Sequence, residues 1–227
     1  MNDLNKLYDD SFYNAQISGS YRSAKVYAKI LSAFIVPNSI ADVGCGRGAW
    51  LKAFKECGAI NVVGFDGEWN AQNNMVEDYI TFIPCDLNQP IKPPNNQPFD
   101  LAMSLEVAEH LLPTSAENFI NSLTGLSDMV LFGAAFTGQG GRNHINEQPS
   151  TYWASLFSSH AYAPFDLFRS TVWGNSEVEF WYQQNTFLYI HKDSPAYVNI
   201  ISKGASPMAN VAFMDCIHPS LYYRKLR

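Results

Sequence analysis

The chain has little charge, few cysteines and no long apolar run. Of its 227 residues only 16% are Asp, Glu, Lys or Arg, against 47% hydrophobic. That balance excludes a disordered, charge-rich chain and describes a globular one with a substantial core. No stretch of 18 or more apolar residues occurs, so no transmembrane helix is expected. The first residues, Met1-Asn2-Asp3-Leu4-Asn5-Lys6, carry no basic segment followed by an apolar one. No signal peptide is expected, and the expected location is cytoplasmic. The four cysteines, Cys45, Cys57, Cys85 and Cys216, form no C-x-x-C pair and no zinc spacing with a histidine. They are expected as reduced, buried thiols that behave as small hydrophobes. Basic excess is missing too. A net charge of −6 speaks against a broad nucleic-acid phosphate track. Internal repeats and linkers are also lacking, so residues 1–227 are expected to form a single domain. A helical cap over 1–36 and an extension over 194–227 flank it.

What is present is a glycine-rich turn, Asp42-Val43-Gly44-Cys45-Gly46-Arg47-Gly48. An apolar run precedes it, a helix-like segment follows, and Asp66 ends a second apolar run, Val62-Val63-Gly64-Phe65. Glycines let the backbone pass close to a ligand in conformations that a Cβ forbids. A carboxylate after the second strand can accept hydrogen bonds from both hydroxyls of a ribose. The physical reading is a nucleoside site.

Periodicity places the other elements. An amphipathic helix covers 20–34 behind a polar and aromatic start with Tyr8, Phe12 and Tyr13. Strands are expected at about 39–43, 61–66, 79–83, 99–104 and 129–133. Helices are expected at about 48–57, 105–112, 114–126 and 152–159. Segments 165–173 and 177–191 alternate aromatic and polar residues, as a closing antiparallel pair does. Residues 194–227 have no regular pattern. Strands alternating with helices predict an α/β fold with a mostly parallel, seven-stranded Rossmann-like sheet. A C-terminal antiparallel hairpin is expected at its edge, with helices on both faces. Ligands in such sheets sit beyond the carboxyl ends of the strands. There Gly44–Gly48, Asp66, Asp86, Ser104–Glu106 and Gly133–Phe136 would share one cleft.

These residues resemble the class I S-adenosylmethionine-dependent methyltransferases. The likeness is carried by Asp42 to Gly48, Asp66, Cys85-Asp86-Leu87, and Phe99-Asp100-Leu101 leading to Ser104-Leu105-Glu106-Val107-Ala108-Glu109-His110. The alternating G-x-G-x-G differs from the G-x-G-x-x-G usual in NAD-binding domains. The second half is similar to bacterial methyltransferases associated with glycan, capsule or secondary-metabolite gene clusters. Its matching stretches are Gly138-Gln139-Gly140-Gly141, His144 to Gln148, Tyr152-Trp153, Trp181 to Asn185 and, loosely, Ile217-His218-Pro219. The resemblance implies S-adenosyl-L-methionine as cofactor. Gly44, Gly46 and Gly48, after Asp42, would lie under its methionine part. Asp66, followed by Gly67, would hold the ribose, and Asp86 and Leu87 would meet the adenine. Ser104, Leu105 and Glu106 would flank the sulfonium, with Tyr21 and Ser23 closing over the top.

Two constellations could act on the acceptor. In Glu106-x-x-Glu109-His110 the spacing puts all three on one face of a helical turn. Two carboxylates and an imidazole suit Mg²⁺, Mn²⁺, Fe²⁺ or Zn²⁺, and His144 is a candidate fourth ligand, its alternatives being a general base or a loop histidine bonded to its own backbone. The pattern resembles that of metal-dependent O-methyltransferases acting on RNA ribose 2′-hydroxyls or ubiquinone precursors. Without metal, such residues cap a helix beside the cofactor. His144, beside Asn146 and Glu147, is also a candidate general base, as Glu106 and His110 are candidate catalytic groups. Trp181-Tyr182-Gln183-Gln184-Asn185 mixes rings and amides that suit a polyol. Methylation of an oxygen, or less favoured a nitrogen, on a sugar or polar small metabolite is the leading expectation. Metal-dependent RNA ribose methylation and a non-catalytic cofactor-binding protein are the alternatives.

Overall fold

The computed structural model describes the backbone of residues 10–226 and side chains from residue 18 onward. Tyr8, and the side chains of Phe12 and Tyr13, lie outside the described residues. In chain order the elements are α1 (Asp10–Ser32), β1 (Ser39–Val43), α2 (Ala49–Glu56), β2 (Asn61–Asp66), β3 (Thr81–Pro84), β4 (Leu101–Leu105), α3 (Ala116–Leu126), β5 (Met129–Gly133) and α4 (Ser150–Ser159). Then come β6 (Tyr162–Phe165), α5 (Arg169–Val172), α6 (Phe180–Asn185), β7 (Phe187–His191), α7 (Pro195–Ser202) and α8 (Pro219–Lys225). Among the described residues no helix is long and apolar enough to cross a membrane.

The seven strands form one sheet in the order β3-β2-β1-β4-β5-β7-β6. β1 to β5 run parallel, and β7 is antiparallel to both β5 and β6. The direction of chain progression reverses between β1 and β4, which opens a crevice at their carboxyl ends. Strand alternation sends one set of side chains to each face. Ile40, Leu101, Met103, Leu131, Leu188 and Ile190 join a core with Tyr27, Leu31 and Trp50 of α1 and α2. Ala41, Ala102, Val130, Phe132, Phe187 and Tyr189 join the opposite core with Phe119 of α3 and Trp153 and Phe157 of α4.

Four expectations from sequence are corrected. The closing strands are β6 and β7, and the segment between them holds α5 and α6, so Trp181 and Tyr182 are helical. Residues 105–112 form no α-helix. Glu106 takes a left-handed φ of 56° and only a short 3-10 turn, Ala108–His110, follows. The last stretch is built from short helices with side-chain caps. Ser194 accepts from the Tyr197 N–H at the start of α7, His218 Nδ1 accepts from the Ser220 N–H at the start of α8, and each cap precedes a proline. The cysteines are all free, but Cys216 is exposed and only Cys45 is buried.

Candidate active site

The crevice is a cleft of about 570 Å³ beyond β1, β2 and β4. Its floor is the turn after β1. Gly44 sits at φ 86°, and a Cβ there would collide with the γ carbons of Val107. Gly46, at φ 53°, has open space over it and borders the cleft. Gly48, at φ 85°, starts α2 and lets it pack against Ile80, 2.7 Å from where a Cβ would stand. Gly44 and Gly46 therefore serve the cleft, and Gly48 serves helix packing.

Asp66 is locked into that floor. One oxygen accepts from the Gly46 N–H and the other from the Gly67 N–H, both at 2.7 Å. Burial raises its pKa, and those donors together with the Trp69 indole act against the rise. Asn70 ties the next turn to the floor by donating to the Gly46 carbonyl. Asp42, buried on β1 beneath the turn, is pushed up to about 8 by burial and by the nearby charge of Asp66. On the far side, Asp86 accepts from the Asn88 N–H at 2.9 Å and borders the cleft with Leu87.

Several expected cofactor residues stand elsewhere. The Tyr21 hydroxyl donates to Glu56 on α2 at 2.6 Å. Ser23 is buried, donates to the Gly19 carbonyl and accepts from the Glu179 N–H, linking α1 to the start of α6. Asp42, Gly48, Ser104 and Leu105 lie beneath the cleft and outside its lining. Ser104 is fully buried with a hydroxyl that has no partner.

Glu106 borders the cleft with its carboxylate held from behind. It accepts from Gln139 Nε2 at 2.7 Å and from Asn185 Nδ2 at 3.0 Å. Asn185 also donates to Gln139, Gln184 donates to Asn185, and the His218 N–H donates to Gln184. The amides expected to face a polyol are thus buried and bonded inside the protein. Burial raises the Glu106 pKa and the two amides oppose it.

Glu109, His110 and His144 form a second group, with ligand atoms within 4.8 Å of one another. Glu106, expected with them, is outside it because its φ turns it toward Asn185. Glu109 is fully buried, and its carboxylate oxygens have no hydrogen-bond partner of good geometry. Its pKa is well above the ordinary carboxylate value, through burial and then the charge of Glu106. His144 Nδ1 lies 2.8 Å from Glu147, and its Nε2 faces Glu109 at 4.0 Å. Glu147 accepts from the Gly138 and Gly140 N–H groups as well, which closes the loop from 137 to 149 on itself. His110, with its ring edge-on to His144 at 4.8 Å, borders the cleft. His144 does not.

Residues 13–124 match a family described as "Methyltransferase domain". That match covers the glycine turn, Asp66, Asp86 and Glu106 to His110. Over that segment, just under half of the chain, the sequence is similar to a methyltransferase domain. The chain as a whole is similar in fold to solved methyltransferase structures of low sequence identity. One is the plantazolicin methyltransferase BpumL with a desmethyl-plantazolicin analogue and SAH, at 17% identity and a TM-score of 0.57, covering 83% of this chain and 91% of that one. A second is an O-methyltransferase family protein from Burkholderia thailandensis, at 12% identity and a TM-score of 0.56, covering 84% and 62%. A third is human N-acetylserotonin methyltransferase with SAM, at 17% identity and a TM-score of 0.50, covering 73% and 51%. This chain thus spans about half the length of the human protein. No curated protein matches the sequence.

Sequence reasoning missed Trp69, Asn70 and Asn143 in the lining, and gave Gln139 and Asn185 no partner. The signal for the last two was a polar cluster inside aromatic surroundings, which marks a buried network as readily as an open surface.

Proposed function

We propose that this methyltransferase transfers the methyl group of S-adenosylmethionine to an oxygen of a sugar or other small polar acceptor. The observation that carries the reading is His110 at the cleft wall, backed by a fixed loop. The sulfonium methyl is already activated, so the protein must align a nucleophile and take a hydroxyl proton. His110 Nδ1 lies 3.3 Å from the Asn143 carbonyl, which favours the tautomer with hydrogen on Nδ1. The Nε2 lone pair is then left to accept a proton. Burial and the neighbouring His144 hold its pKa below the ordinary histidine value, so it stands neutral and ready as a base. His144, oriented by Glu147, acts as its positioning residue. The net charge of −6 favours a small acceptor over a nucleic acid. Incubation with labelled S-adenosylmethionine and a panel of hydroxylated sugars and metabolites tests the reading. His110→Ala should abolish transfer while cofactor binding, measured by calorimetry, is kept. Binding without transfer to any acceptor would favour a non-catalytic role.

A second reading rests on Glu109. A buried carboxylate without a partner is costly, and a divalent cation supplies one. Glu109, His110 and His144 would hold it, and one carboxylate with two imidazoles suits Mn²⁺, Fe²⁺ or Zn²⁺ better than Mg²⁺. Such an ion would supply Lewis acidity for ionising an acceptor hydroxyl. Calorimetric titration with Mn²⁺ or Zn²⁺ tests this directly, since binding should vanish in Glu109→Ala. A wild-type protein that takes up neither ion removes this reading and leaves His110 as base.

A further inference from the structure

Glu106 borders the cleft beside His110 and takes no part in the proton transfer assigned there. Its surroundings fix which way its hydrogen bonds run. Two backbone N–H groups, which can only donate, stand at the far ends of the network behind it. The His218 N–H donates to Gln184 Oε1 at 2.7 Å, so Gln184 Nε2 points the other way, to Asn185 Oδ1 at 2.9 Å. That leaves Asn185 Nδ2 to face Glu106 at 3.0 Å and Gln139 Oε1 at 2.9 Å. The Phe136 N–H donates to the same Gln139 oxygen at 3.3 Å, so Gln139 Nε2 faces the other Glu106 oxygen at 2.7 Å. Gln184 and Asn185 are buried, and turning either amide would set oxygen against oxygen or nitrogen against nitrogen. Each Glu106 oxygen thus receives one side-chain donor. A carboxylate has lone pairs for about four such bonds, and the remainder are open to whatever lies in the cleft. Burial works against the charge, while the two amides and His144 work for it.

We propose that Glu106 selects the acceptor by taking a hydrogen bond from a second donor on it, a hydroxyl or an ammonium apart from the hydroxyl that His110 deprotonates. The inference rests on the proposed transfer to a sugar or small polar acceptor, and it narrows that class to neutral polyols and amino sugars. A carboxylate or phosphate at the same place would set like charges together, and a methyl ether would bring no hydrogen. Glu106 and His110 lie on one turn after β4 and border one cleft, so one small molecule can meet both. Gln139 and Asn185 are outside the lining and act as positioning residues through Glu106.

The test uses the sugar that wild type methylates and its analogues in which each remaining hydroxyl is replaced in turn by fluorine or by an amine. Fluorine keeps the size and loses the hydrogen, whereas the amine still donates. At one position fluorine should raise KM at least about tenfold with kcat kept within about threefold, and the amine there should keep KM at or below that of the parent sugar. Glu106→Gln should abolish the preference between the two analogues, while S-adenosylhomocysteine binding, measured by calorimetry, stays within about threefold of wild type. The analogue series on wild type decides the matter if Glu106→Gln does not fold. Equal KM for fluoro and amino analogues at every position overturns this inference and leaves transfer standing. S-adenosylhomocysteine binding weakened at least about tenfold in a folded Glu106→Gln also overturns it, since the carboxylate then serves the cofactor. A wild type that methylates no sugar in the panel overturns the acceptor reading and this inference with it.

Discussion

Asn185, at the end of α6, donates a 3.0 Å hydrogen bond to Glu106, 79 positions earlier at the end of β4. The bond joins the half of the chain that holds the glycine turn and the cleft floor to the half that holds α4 to α8. It also explains how a non-glycine residue keeps a φ of 56°, since such backbone persists only where surrounding contacts over-determine it.

Asn185→Leu should therefore destabilise the protein. It leaves a buried carboxylate with one donor fewer, at a cost of about 2 kcal/mol. For a chain of this size that is a fall in Tm of about 4–8 °C. The loss should be smaller at pH 5.5 than at pH 8, because a protonated Glu106 needs the amide less. Equal losses at both pH values would show that Glu106 keeps one protonation state across that range.

Asp42 makes stability depend on pH. Its folded pKa is raised from 3.8 to about 8. Between those values the folded protein holds a proton that the unfolded chain has released, so stability falls as pH rises across the window. Asp42→Asn keeps the shape and removes the charge. Relative to wild type the variant should gain stability from pH 5 to pH 8, measured as urea midpoints without cofactor. A parallel pH response in the two proteins would refute the assignment.

Gly44→Ala should fail for two separable reasons, the positive φ and the collision with Val107. Expected results are a loss of about 2 kcal/mol or more in stability and at least tenfold weaker binding of S-adenosylhomocysteine. Adding Val107→Ala should restore part of the stability by opening space, leaving the backbone cost. Strict additivity in that double variant would show that the collision does not matter.

The proposed base predicts the acid side of the rate profile. Transfer requires neutral His110, whose pKa lies below the ordinary 6.5. The rate at saturating substrate should climb with pH and pass its half-maximum below pH 6.5. His144→Ala should move that limb upward, because His144 is one of the groups that lowers the His110 value. A limb unmoved by His144→Ala would count against the pairing of the two rings.

The first half of the fold was legible because its signals are local. β1, β2 and β5 begin and end where the apolar runs do, and each of the turns after β1 and β2 holds a glycine beside a carboxylate. The second half was not. Phe180 to Asn185 is buried at five of its six positions, so no period separates helix from strand, and its aromatic content suits either. The E-x-x-E-H spacing misled for a different reason. Helical spacing assumes helical dihedrals, and Glu106 leaves them to meet Asn185, a partner that no local pattern announces. Capping of α7 and α8 was visible as Ser-Pro and His-Pro, but short capped helices have too little amphipathic pattern to stand out.

The loop from 137 to 149 hangs from the Ala108–His110 turn, since the Ile145 and Asn146 N–H groups both donate to the Glu109 carbonyl. With Gln139 bonded to Asn185 as well, it is a part that cannot be exchanged alone. Replacing it with a loop from a related protein would take Gln139 away and leave Glu106 with Asn185 as its one amide donor. A working graft would carry α6 and the His218 segment along with it. Diversification of this chain should accordingly proceed by coordinated replacement of three distant segments, with the cofactor half left untouched.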